Sequence, residues 1–593
     1  MYKRFSFGPL ALAAVFACSV AFGGDIENLW PEGKIPDLQP HQHSASTFDA
    51  EKPDFDATKR TMPRLEWYDA PASNKTDCCM ILISGGAYEC RCDGYWIDYC
   101  AKRLTAMGIQ CVQLAYRTPR PRGLAIYQTA WEDGQRAVRL VRSEAVKRGF
   151  DPEKIGALGF SAGSHLTVML ATSALTPAYS PVDDLDQTPC HLNWAIPIYT
   201  AYALTDGLEG PNARLGDAID VKLTDAFKFD AKTCPMCMFH GSVDIYSPNG
   251  STQLYRQLRR MKIPAELHLF ADRNHGFMGW PEAKTDRPAG YDRWFDRAEE
   301  FIRQMQFVGP LAPEEDLFTR FPNDDARASC EHQDIWPEGA MPLASTNQCK
   351  PFIEWHLPKK LTTKAIQIIY SGGSYCGNSP DGHEVAPARR YLNEKGMAVV
   401  TLLYRCPRPQ GLAKHTTAWQ DLQRTIRLVR AGAEKRGLDP DRIGIWGSSA
   451  GGHLTLMGAT SSRHQSYQPI DDIDKISCKV QWAVGIYPAY ALTDNAEHPS
   501  ASCGNADEDR LVPEFSFDPD TCPMVFVHGD ADVWPAMNSV KCWEQLRRMG
   551  IGCDLHTLAL RNHCFMFKAA PGTGSYNYLD MVWQFLNAKG FNK

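Results

Sequence analysis

The sequence predicts an α/β protein with two similar domains in tandem, each containing a mostly parallel sheet flanked by helices. One observation behind this is the length of 593 residues. A single core usually holds roughly 100–200 residues. A second is internal repetition, because long segments recur with a constant shift of 288 residues. A third is that short apolar runs alternate with segments of helical periodicity within each copy.

The repetition extends over most of the chain. The segment LAYRTPRPRGLAIYQTAWEDGQRAVRLVR, which starts at Leu114, returns as LLYRCPRPQGLAKHTTAWQDLQRTIRLVR from Leu402. The same shift relates GFSAGSH to GSSAGGH and RNHGFM to RNHCFM. A period of this length is too long for a solenoid repeat and indicates two complete domains.

The domain boundaries follow from the copies and from local composition. Residues 1–23 carry Lys3 and Arg4, then a mostly apolar stretch and a small-residue cleavage site at Ala21-Phe22-Gly23, which is typical of a secretory signal peptide. We expect the first domain at 24–309, a linker rich in Pro, Asp and Glu at 310–333, and the second domain at 334–593. The sequence therefore predicts a secreted or periplasmic protein whose two domains contact each other.

Composition excludes several classes of protein. The 63 basic and 69 acidic side chains give a net charge of −6, and 44% of the residues are hydrophobic, as in ordinary globular proteins. Without a long basic run, nucleic acid is not expected as a partner. After the signal peptide no stretch approaches 18 uninterrupted apolar residues, so no membrane span is expected.

The elements of each copy alternate along the chain as a parallel sheet requires. Strands of the first copy are predicted in the segments CCMILISGG, GIQCVQLAYR, IGAL, NWAIPIY, MCMFHG and AELHLF. Helices are predicted at Ala130–Lys147 and Ala162–Leu175, where apolar residues recur at helical spacing. The second copy repeats the strands as AIQIIYSGG, GMAVVTLLYR, RIGIWG, QWAVGIY, MVFVHG and CDLHTL.

Both copies contain the pattern G-x-S-x-G, centred on Ser161 and Ser449. The pattern alone is weak, but each match follows a predicted strand and opens a predicted helix, as a nucleophile elbow does. A serine hydroxyl needs an imidazole base that is oriented by a carboxylate. The alternative is a plain turn between a strand and a helix.

The acid and the base are predicted from their order and spacing. Asp244 and His275 follow Ser161 by 83 and then 31 residues, and Asp532 and His563 follow Ser449 by the same intervals. Each lies after a strand, at the edge of the sheet where sites form. Three other sets of residues are alternatives for the base or the acid. His165 and His453 suit packing, His240 and His528 suit loop support, and Asp530 rivals Asp532 although the first copy has Ser242 there.

An oxyanion hole needs backbone donors from two segments. The loops SGGAY and SGGSY follow an early strand in each copy. We expect the first hole to use the N–H of Gly86 or Ala87 with that of Ala162, and the second to use the N–H of Gly373 or Ser374 with that of Ala450. The alternative is a tight glycine turn without a catalytic role.

Four aromatic residues are candidates for stacking on a sugar ring, although packing is the more common role of such side chains. They are Trp96, Tyr246, Trp280 and Trp534.

Twenty cysteines fit an oxidising compartment. Matching positions before neighbouring strands predict the disulfides Cys190–Cys234 and Cys478–Cys522. Close cysteine spacings occur, but none pairs with a second cluster at zinc-ligand spacing, so no metal site is predicted.

Together these motifs resemble the bacterial acetyl xylan esterase-like carbohydrate esterases of the α/β-hydrolase superfamily. The resemblance rests on LWPEG, the glycine loops, YR…AWxDxQRxxRLVR, GxSAGxH, HGxxD and NHxF, and covers both copies almost completely. It implies two tandem α/β-hydrolase domains that remove acyl groups, above all acetyl, from plant or algal polysaccharide such as xylan without a cofactor. Where the family has a third glycine, this chain has Ala87 and Ser374.

Three alternatives stay open at the level of sequence. The first is a feruloyl-type esterase, the second is a serine peptidase of the same superfamily, and the third is a protein in which only one copy is catalytic. In the third case the other copy is a scaffold that binds polysaccharide or holds the pair together.

Overall fold

The computed structural model describes residues 25–46, 62–205, 222–277, 293–493 and 510–593. The expected signal peptide at 1–23 lies outside these ranges. Within them, no helix combines the length and the apolar character needed to cross a bilayer.

Within the described ranges, each copy contributes eight strands. In the first copy they are β1 Ile26–Asn28, β2 Arg64–Tyr68, β3 Cys79–Ile83, β4 Gln110–Ala115, β5 Ile155–Phe160, β6 Trp194–Ile198, β7 Met236–Gly241 and β8 Ala265–Phe270. In the second copy they are β9 Arg327–Asp334, β10 Phe352–Pro358, β11 Ile366–Tyr370, β12 Ala398–Leu403, β13 Ile443–Ser448, β14 Trp482–Ile486, β15 Met524–Gly529 and β16 Cys553–Leu558.

The spatial order is the same in both copies. It runs β1-β2-β4-β3-β5-β6-β7-β8 in the first copy and β9-β10-β12-β11-β13-β14-β15-β16 in the second. The first two strands of each copy pair antiparallel, and the other six are parallel. The prediction of two mostly parallel sheets is confirmed.

Helices cover both faces, because parallel strands that are apolar on both sides must be buried on both sides. The helices are Tyr95–Ala106, Gln128–Arg148, Ala162–Thr172, Asn249–Arg260, Trp294–Gln304, Leu317–Arg320, Ala386–Glu394, Thr416–Ala433, Ala450–Thr460, Met537–Arg548 and Tyr578–Ala588. On one face a single apolar cluster runs through both copies, whereas on the other face each copy has its own cluster.

The segment expected as a linker, 310–333, is partly structured. It contains the short helix Leu317–Arg320 and most of strand β9, which starts at Arg327 and pairs with β10. The sheet of the second copy therefore begins earlier in the chain than composition suggested. A charged, exposed edge strand has the same residue types as a linker, which explains the difference.

The two sheets form one sixteen-stranded sheet because their last strands, β8 and β16, pair antiparallel. His268 lies opposite His556 in this pairing, with 3.0 Å between their Nδ1 atoms. Arg256 forms an ion pair with Glu544 nearby. Both pairs join equivalent residues of the two copies, so a pseudo-twofold axis passes between the last strands.

Buried carboxyl groups make reciprocal contacts across this axis. Glu266 accepts a hydrogen bond from the N–H of Ala559 at 3.1 Å, and Asp554 accepts one from the N–H of Ala271 at 2.6 Å. Burial raises the pKa of each carboxyl to about 7. The contacts satisfy backbone donors at the junction. Ionisation of either carboxyl group costs free energy, because the charge would be buried.

The motif YR…AWxD builds a buried polar network in each copy. In the first copy, Arg117 lies against Asp133 with 2.9 Å between Nε and Oδ2, and Trp30 donates its indole N–H to the same carboxylate at 2.8 Å. Arg405, Asp421 and Trp336 repeat these contacts. The network ties the LWPEG segment to the loop after β4 or β12.

The disulfides expected between Cys190 and Cys234 and between Cys478 and Cys522 are wrong. Every cysteine in the described ranges is a free thiol. The thiol of Cys190 donates to the carbonyl of Ala174 at 3.3 Å, and that of Cys478 donates to the equivalent carbonyl at 2.9 Å. Neighbouring strands bring these segments together, but the thiols are oriented toward backbone acceptors instead of each other.

The buried carboxyl at the junction predicts a pH dependence of stability. Asp554 has an ordinary pKa of 3.8 and a folded-state pKa of about 7. A raised acid pKa contributes stability below the ordinary value, and this contribution is lost as pH rises through the folded-state value. Asp554→Asn keeps the acceptor oxygen without the charge. We expect the free energy of unfolding to fall less between pH 4 and 7.5 in this variant than in the unsubstituted protein, by more than about 1 kcal/mol.

Chemical denaturation across that pH range measures the difference. Asp472→Asn is the matched control, because the Asp472 side chain is 92% exposed. Identical pH profiles for Asp554→Asn and the unsubstituted protein would contradict the assignment.

Candidate active site

Each G-x-S-x-G segment forms a sharp turn between a strand and a helix. Ser161 has φ 54° and ψ −118° between β5 and the helix Ala162–Thr172, and Ser449 has φ 54° and ψ −120° at the equivalent position. Residues other than glycine adopt such angles only when the surroundings enforce them. The turn places each hydroxyl at the carboxyl end of its strand and at the N-terminus of a helix.

The turn requires glycine at two positions of the pattern, because neighbouring atoms leave no room there for a side chain. A Cβ at Gly159 would lie 2.2 Å from Thr167 Oγ1, and one at Gly163 would lie 2.3 Å from the carbonyl oxygen of Ser84. The second contact also shows that the glycine loop after β3 lies directly against the turn.

The three residues selected by spacing meet in each copy. In the first copy, Ser161 Oγ lies 2.8 Å from His275 Nε2, and His275 Nδ1 lies 2.9 Å from Asp244 Oδ2. In the second copy, Ser449 Oγ lies 2.8 Å from His563 Nε2, and the histidine Nδ1 lies 2.8 Å from Asp532 Oδ2. Both copies thus contain a continuous hydrogen-bonded chain from hydroxyl to carboxylate.

Both acids are fully enclosed yet remain ionised. Burial acts to raise the pKa of Asp244, but hydrogen bonds from His240 and His275 outweigh it, and the net pKa is lowered. Asp532 follows the same balance through His528 and its own triad histidine. An anionic acid fixes the imidazole with Nδ1–H toward the carboxylate, which leaves Nε2 to accept the serine proton.

The alternative residues occupy supporting positions. His240 bonds the carbonyl of Tyr246 at 2.9 Å through Nε2 and the hydroxyl of Ser251 at 2.8 Å through Nδ1, and so holds the loop that carries the acid against the following helix. Asp530 faces the other copy, where its carboxylate accepts from the hydroxyl of Tyr255 at 2.8 Å and pairs with Arg259. This contact with the first copy explains why the second copy has an aspartate at position 530, where the first copy has Ser242.

The histidines four residues after each serine are buried in the helix. His165 Nδ1 lies 2.9 Å from the hydroxyl of Tyr88, and His453 Nδ1 lies 2.8 Å from that of Tyr375. Each therefore links the helix behind the serine to the glycine loop.

The glycine loops have the strain that their sequence implies. Gly86 has φ 127°, and a Cβ there would lie 2.1 Å from the carbonyl of Cys90. Ala87 and Ser374, which replace the third glycine of the family pattern, have φ of 57° and 56°. The side chains of Arg120 and Arg408 donate to the carbonyls of these two residues, each at 3.2 Å.

The loops lie beside the serines, as an oxyanion hole requires. A Cβ on Gly85 would lie 2.9 Å from Ser161 Cβ, and one on Gly372 would lie 2.6 Å from Ser449 Cβ. The predicted donors Ala162 and Ala450 are the first residues of their helices, where N–H groups lack partners within the helix.

The sequence reasoning missed one carboxyl group in the second site. Glu384 is 8% exposed and accepts two hydrogen bonds, from the N–H of Gly372 at 2.5 Å and from the hydroxyl of Tyr487 at 3.0 Å. Burial raises its pKa, while these bonds and the nearby His563 act in the opposite direction. Glu384 therefore braces the glycine loop close to the imidazole of the second triad.

The first site has an aromatic residue at the equivalent position. Trp96 packs against Phe160 with 6.3 Å between ring centroids, and the second copy has Ser448 in place of that phenylalanine. The exchange of Trp96 for Glu384 was visible in the sequence as a difference between copies, but only the fold shows that it lies beside the serine.

Two of the other aromatic candidates, Tyr246 and Trp534, lie close to the triads. Tyr246 is half-buried with its ring centroid 4.9 Å from that of His275. Trp534 is 7% exposed and packs edge-on against Tyr490 at 4.3 Å, so most of its surface is already covered. Trp280 lies outside the described residues.

The strand order, the strained serine turns and the glycine loops together define an enzyme of the α/β-hydrolase superfamily. The chain belongs to the BD-FAE family, whose model matches residues 65–205 and 353–546, more than half of the chain.

Two curated relatives are xylan-related enzymes by name. The chain is 28% identical to the endo-1,4-beta-xylanase B of Butyrivibrio fibrisolvens over 245 residues, which is 38% of either protein. It is 25% identical to the acetylxylan esterase of Xylanibacter ruminicola over 243 residues, which is 38% of this chain and 45% of the relative. The chain thus spans less than half the length of these relatives.

A solved structure with a similar fold is that of an acetyl ester-xyloside bifunctional hydrolase from Caldicellulosiruptor lactoaceticus. It is 23% identical, with a TM-score of 0.37, and the match covers 49% of this chain and all of that one.

Glu384 generates a prediction that distinguishes the two sites within one molecule. A serine-directed fluorophosphonate reacts only when the hydroxyl is activated, and mass spectrometry of the labelled peptides follows Ser161 and Ser449 separately. In Glu384→Ala we expect Ser449 to react about tenfold more slowly, equivalent to about 1.4 kcal/mol, because the loop loses its brace. Ser161 in the same molecule is the internal control and keeps its rate.

Glu384→Gln retains an acceptor for Gly372 but carries no charge. We expect near-normal labelling of Ser449 at pH 8, because the amide oxygen still accepts from the N–H of Gly372 and keeps the glycine loop in place. Slow labelling of Ser449 in Glu384→Gln, or equal slowing at both serines in Glu384→Ala, would count against this role.

Proposed function

We propose that the chain is a secreted or periplasmic serine esterase with two catalytic sites, which hydrolyses acyl esters, above all acetyl esters, on plant or algal polysaccharide such as xylan. The observation that carries the proposal is the unbroken serine–histidine–aspartate chain in both copies, with each serine held on a strained turn beside a glycine loop. The names of the two xylan-related relatives support the substrate class.

The first step is acylation of the serine. Ser161 or Ser449 attacks the ester carbonyl, and His275 or His563 takes the hydroxyl proton through Nε2 at a starting distance of 2.8 Å. The buried carboxylate of Asp244 or Asp532 stabilises the imidazolium that forms. The same imidazolium then gives its proton to the departing sugar hydroxyl.

Negative charge on the carbonyl oxygen is stabilised by backbone donors. Ala162 and Gly86 or Ala87 supply them in the first site, and Ala450 and Gly373 or Ser374 in the second. Because the strained loops and helix N-termini are fixed before the substrate arrives, little reorganisation is needed in the transition state. In the second step water attacks the acyl-enzyme with the histidine again as base, which releases acetate.

The two sites are expected to differ in acyl preference. The wall beside Ser161 carries Trp96 and Phe160, whereas the wall beside Ser449 carries Glu384 and Ser448. An aromatic wall tolerates larger apolar acyl groups, and a carboxyl group favours small or polar ones. This difference keeps a feruloyl-type activity as the second candidate, restricted to the first site.

Serine variants test whether both sites are active. In Ser161→Ala and in Ser449→Ala we expect part of the hydrolysis of a small acetyl ester to remain, because the other triad is intact. The double variant should lose activity by about 10³-fold or more. Loss of all activity in one single variant would show that the other copy is a scaffold or acts on a different ester.

The acyl group is tested with the same single variants on polysaccharide. Acetate and ferulate released from acetylated and feruloylated xylan are measured by chromatography. We expect acetate from both variants, and ferulate only where Ser161 is retained. Release of neither acid from any xylan would remove the polysaccharide part of the proposal while leaving the esterase chemistry to be judged by the small ester.

A further inference from the structure

Within the described ranges, three clusters outside the triads bring together side chains of the types that bind metals. They are Cys237, Glu266 and His268; Cys330, Glu354 and His356; and His415, His453 and Glu514.

The first two clusters are less suited to a metal ion. The first is buried at all three of its residues, and His268 also bonds His556 of the other copy through Nδ1. In the second, both imidazole nitrogens of His356 bond residues outside the cluster, since Nδ1 accepts a hydrogen bond from Arg327 and Nε2 bonds Thr401.

The third cluster converges on one carboxylate oxygen. His453 Nε2 lies 3.3 Å from Glu514 Oε1, and His415 Nδ1 lies 3.8 Å from the same atom. All three ligand atoms lie within 4.8 Å of one another. Ligand bonds of about 2.0–2.1 Å in a tetrahedral site place ligand atoms roughly 3.3 Å apart. Movements of about 1 Å would therefore complete the geometry.

The hydrogen bond behind His453 suits a ligand. Its Nδ1 lies 2.8 Å from the hydroxyl of Tyr375, so a proton on Nδ1 would leave the lone pair of Nε2 directed at Glu514. Metal-bound histidines commonly donate their second nitrogen to an oxygen in this way.

The first copy lacks two of the three ligands. His165 corresponds to His453, but Tyr127 stands where the second copy has His415, and Ala226 stands where it has Glu514. His165 there is surrounded by aromatic rings, and burial lowers its pKa to about 3. Both copies therefore have the central histidine, but only the second copy has metal-binding residue types at the two positions beside it.

We propose that His415, His453 and Glu514 form a binding site for a divalent transition metal ion of the zinc type. Two imidazoles and one carboxylate leave at least one coordination position for water. The ion would enter from the side of His415 and Glu514, whose side chains are 13% and 20% exposed, because His453 is fully enclosed. Through Tyr375 it would stiffen the glycine loop of the second site, and it takes no part in acyl transfer.

Metal binding is measured on the full chain, independently of catalysis. The chain is stripped with chelator, equilibrated with Zn²⁺ or Co²⁺, dialysed and analysed by elemental mass spectrometry. The decisive variant is His415→Tyr/Glu514→Ala, which introduces the residues of the first copy and should fold. We expect one equivalent of metal in the unsubstituted chain and its loss in this variant, with a Zn²⁺-dependent rise in melting temperature that disappears in parallel.

Free thiols are the competing ligands, and Co²⁺ distinguishes them. Nitrogen and oxygen ligation gives weak visible bands, whereas thiolate ligation adds a strong near-ultraviolet charge-transfer band. Cys330→Ser changes a residue of another cluster and is the matched control. We expect this variant to retain one equivalent of bound metal. The proposal is overturned if the double variant retains the metal, if a thiolate band accounts for it, or if no metal binds. In the last case His453 and Glu514 form only an ion pair.

Discussion

The constraint on which the site depends is the strained backbone at each serine. A φ of 54° at Ser161 and Ser449 is unfavourable for a residue with a side chain, and it persists because a buried strand and a buried helix fix the chain on either side. Glycines at the turn and in the neighbouring loop allow these segments to approach closely enough. The folding free energy of the sheet thus maintains a local conformation that the turn alone would not adopt.

Duplication also solves a problem of the sheet itself. A last parallel strand such as β8 exposes a row of unpaired backbone groups, and such an edge favours aggregation. Pairing β8 with β16 covers both edges at once, and the reciprocal carboxyls Glu266 and Asp554 satisfy donors beyond the ends of the pairing. The remaining edges are the short β1 and the charged β9, neither of which is a long apolar template.

The sequence was sufficient for features that repeat or that follow one another closely. The six parallel strands of each copy were predicted because apolar runs are local, and the triad spacing because it occurs twice. Glu384 and Asp530 were not assigned their contacts, since their partners lie far away in the chain and depend on packing. The disulfides failed for a related reason: Cys190 and Cys234 lie on neighbouring segments, but the direction of a thiol is set by its rotamer and its nearest acceptor.

The two copies keep the same hydrogen-bonded chains yet differ in what surrounds them. When the two copies are aligned, Trp96 corresponds to Glu384, and Tyr127 corresponds to His415. A carboxyl group in place of an aromatic side chain changes the size and polarity of the wall beside the serine, and so the groups that fit there. Under the proposal of two catalytic sites, rates measured on the whole chain are sums over two unlike sites. A bell-shaped pH profile from the unsubstituted chain would report neither site, and only variants or peptide-resolved labelling can separate them.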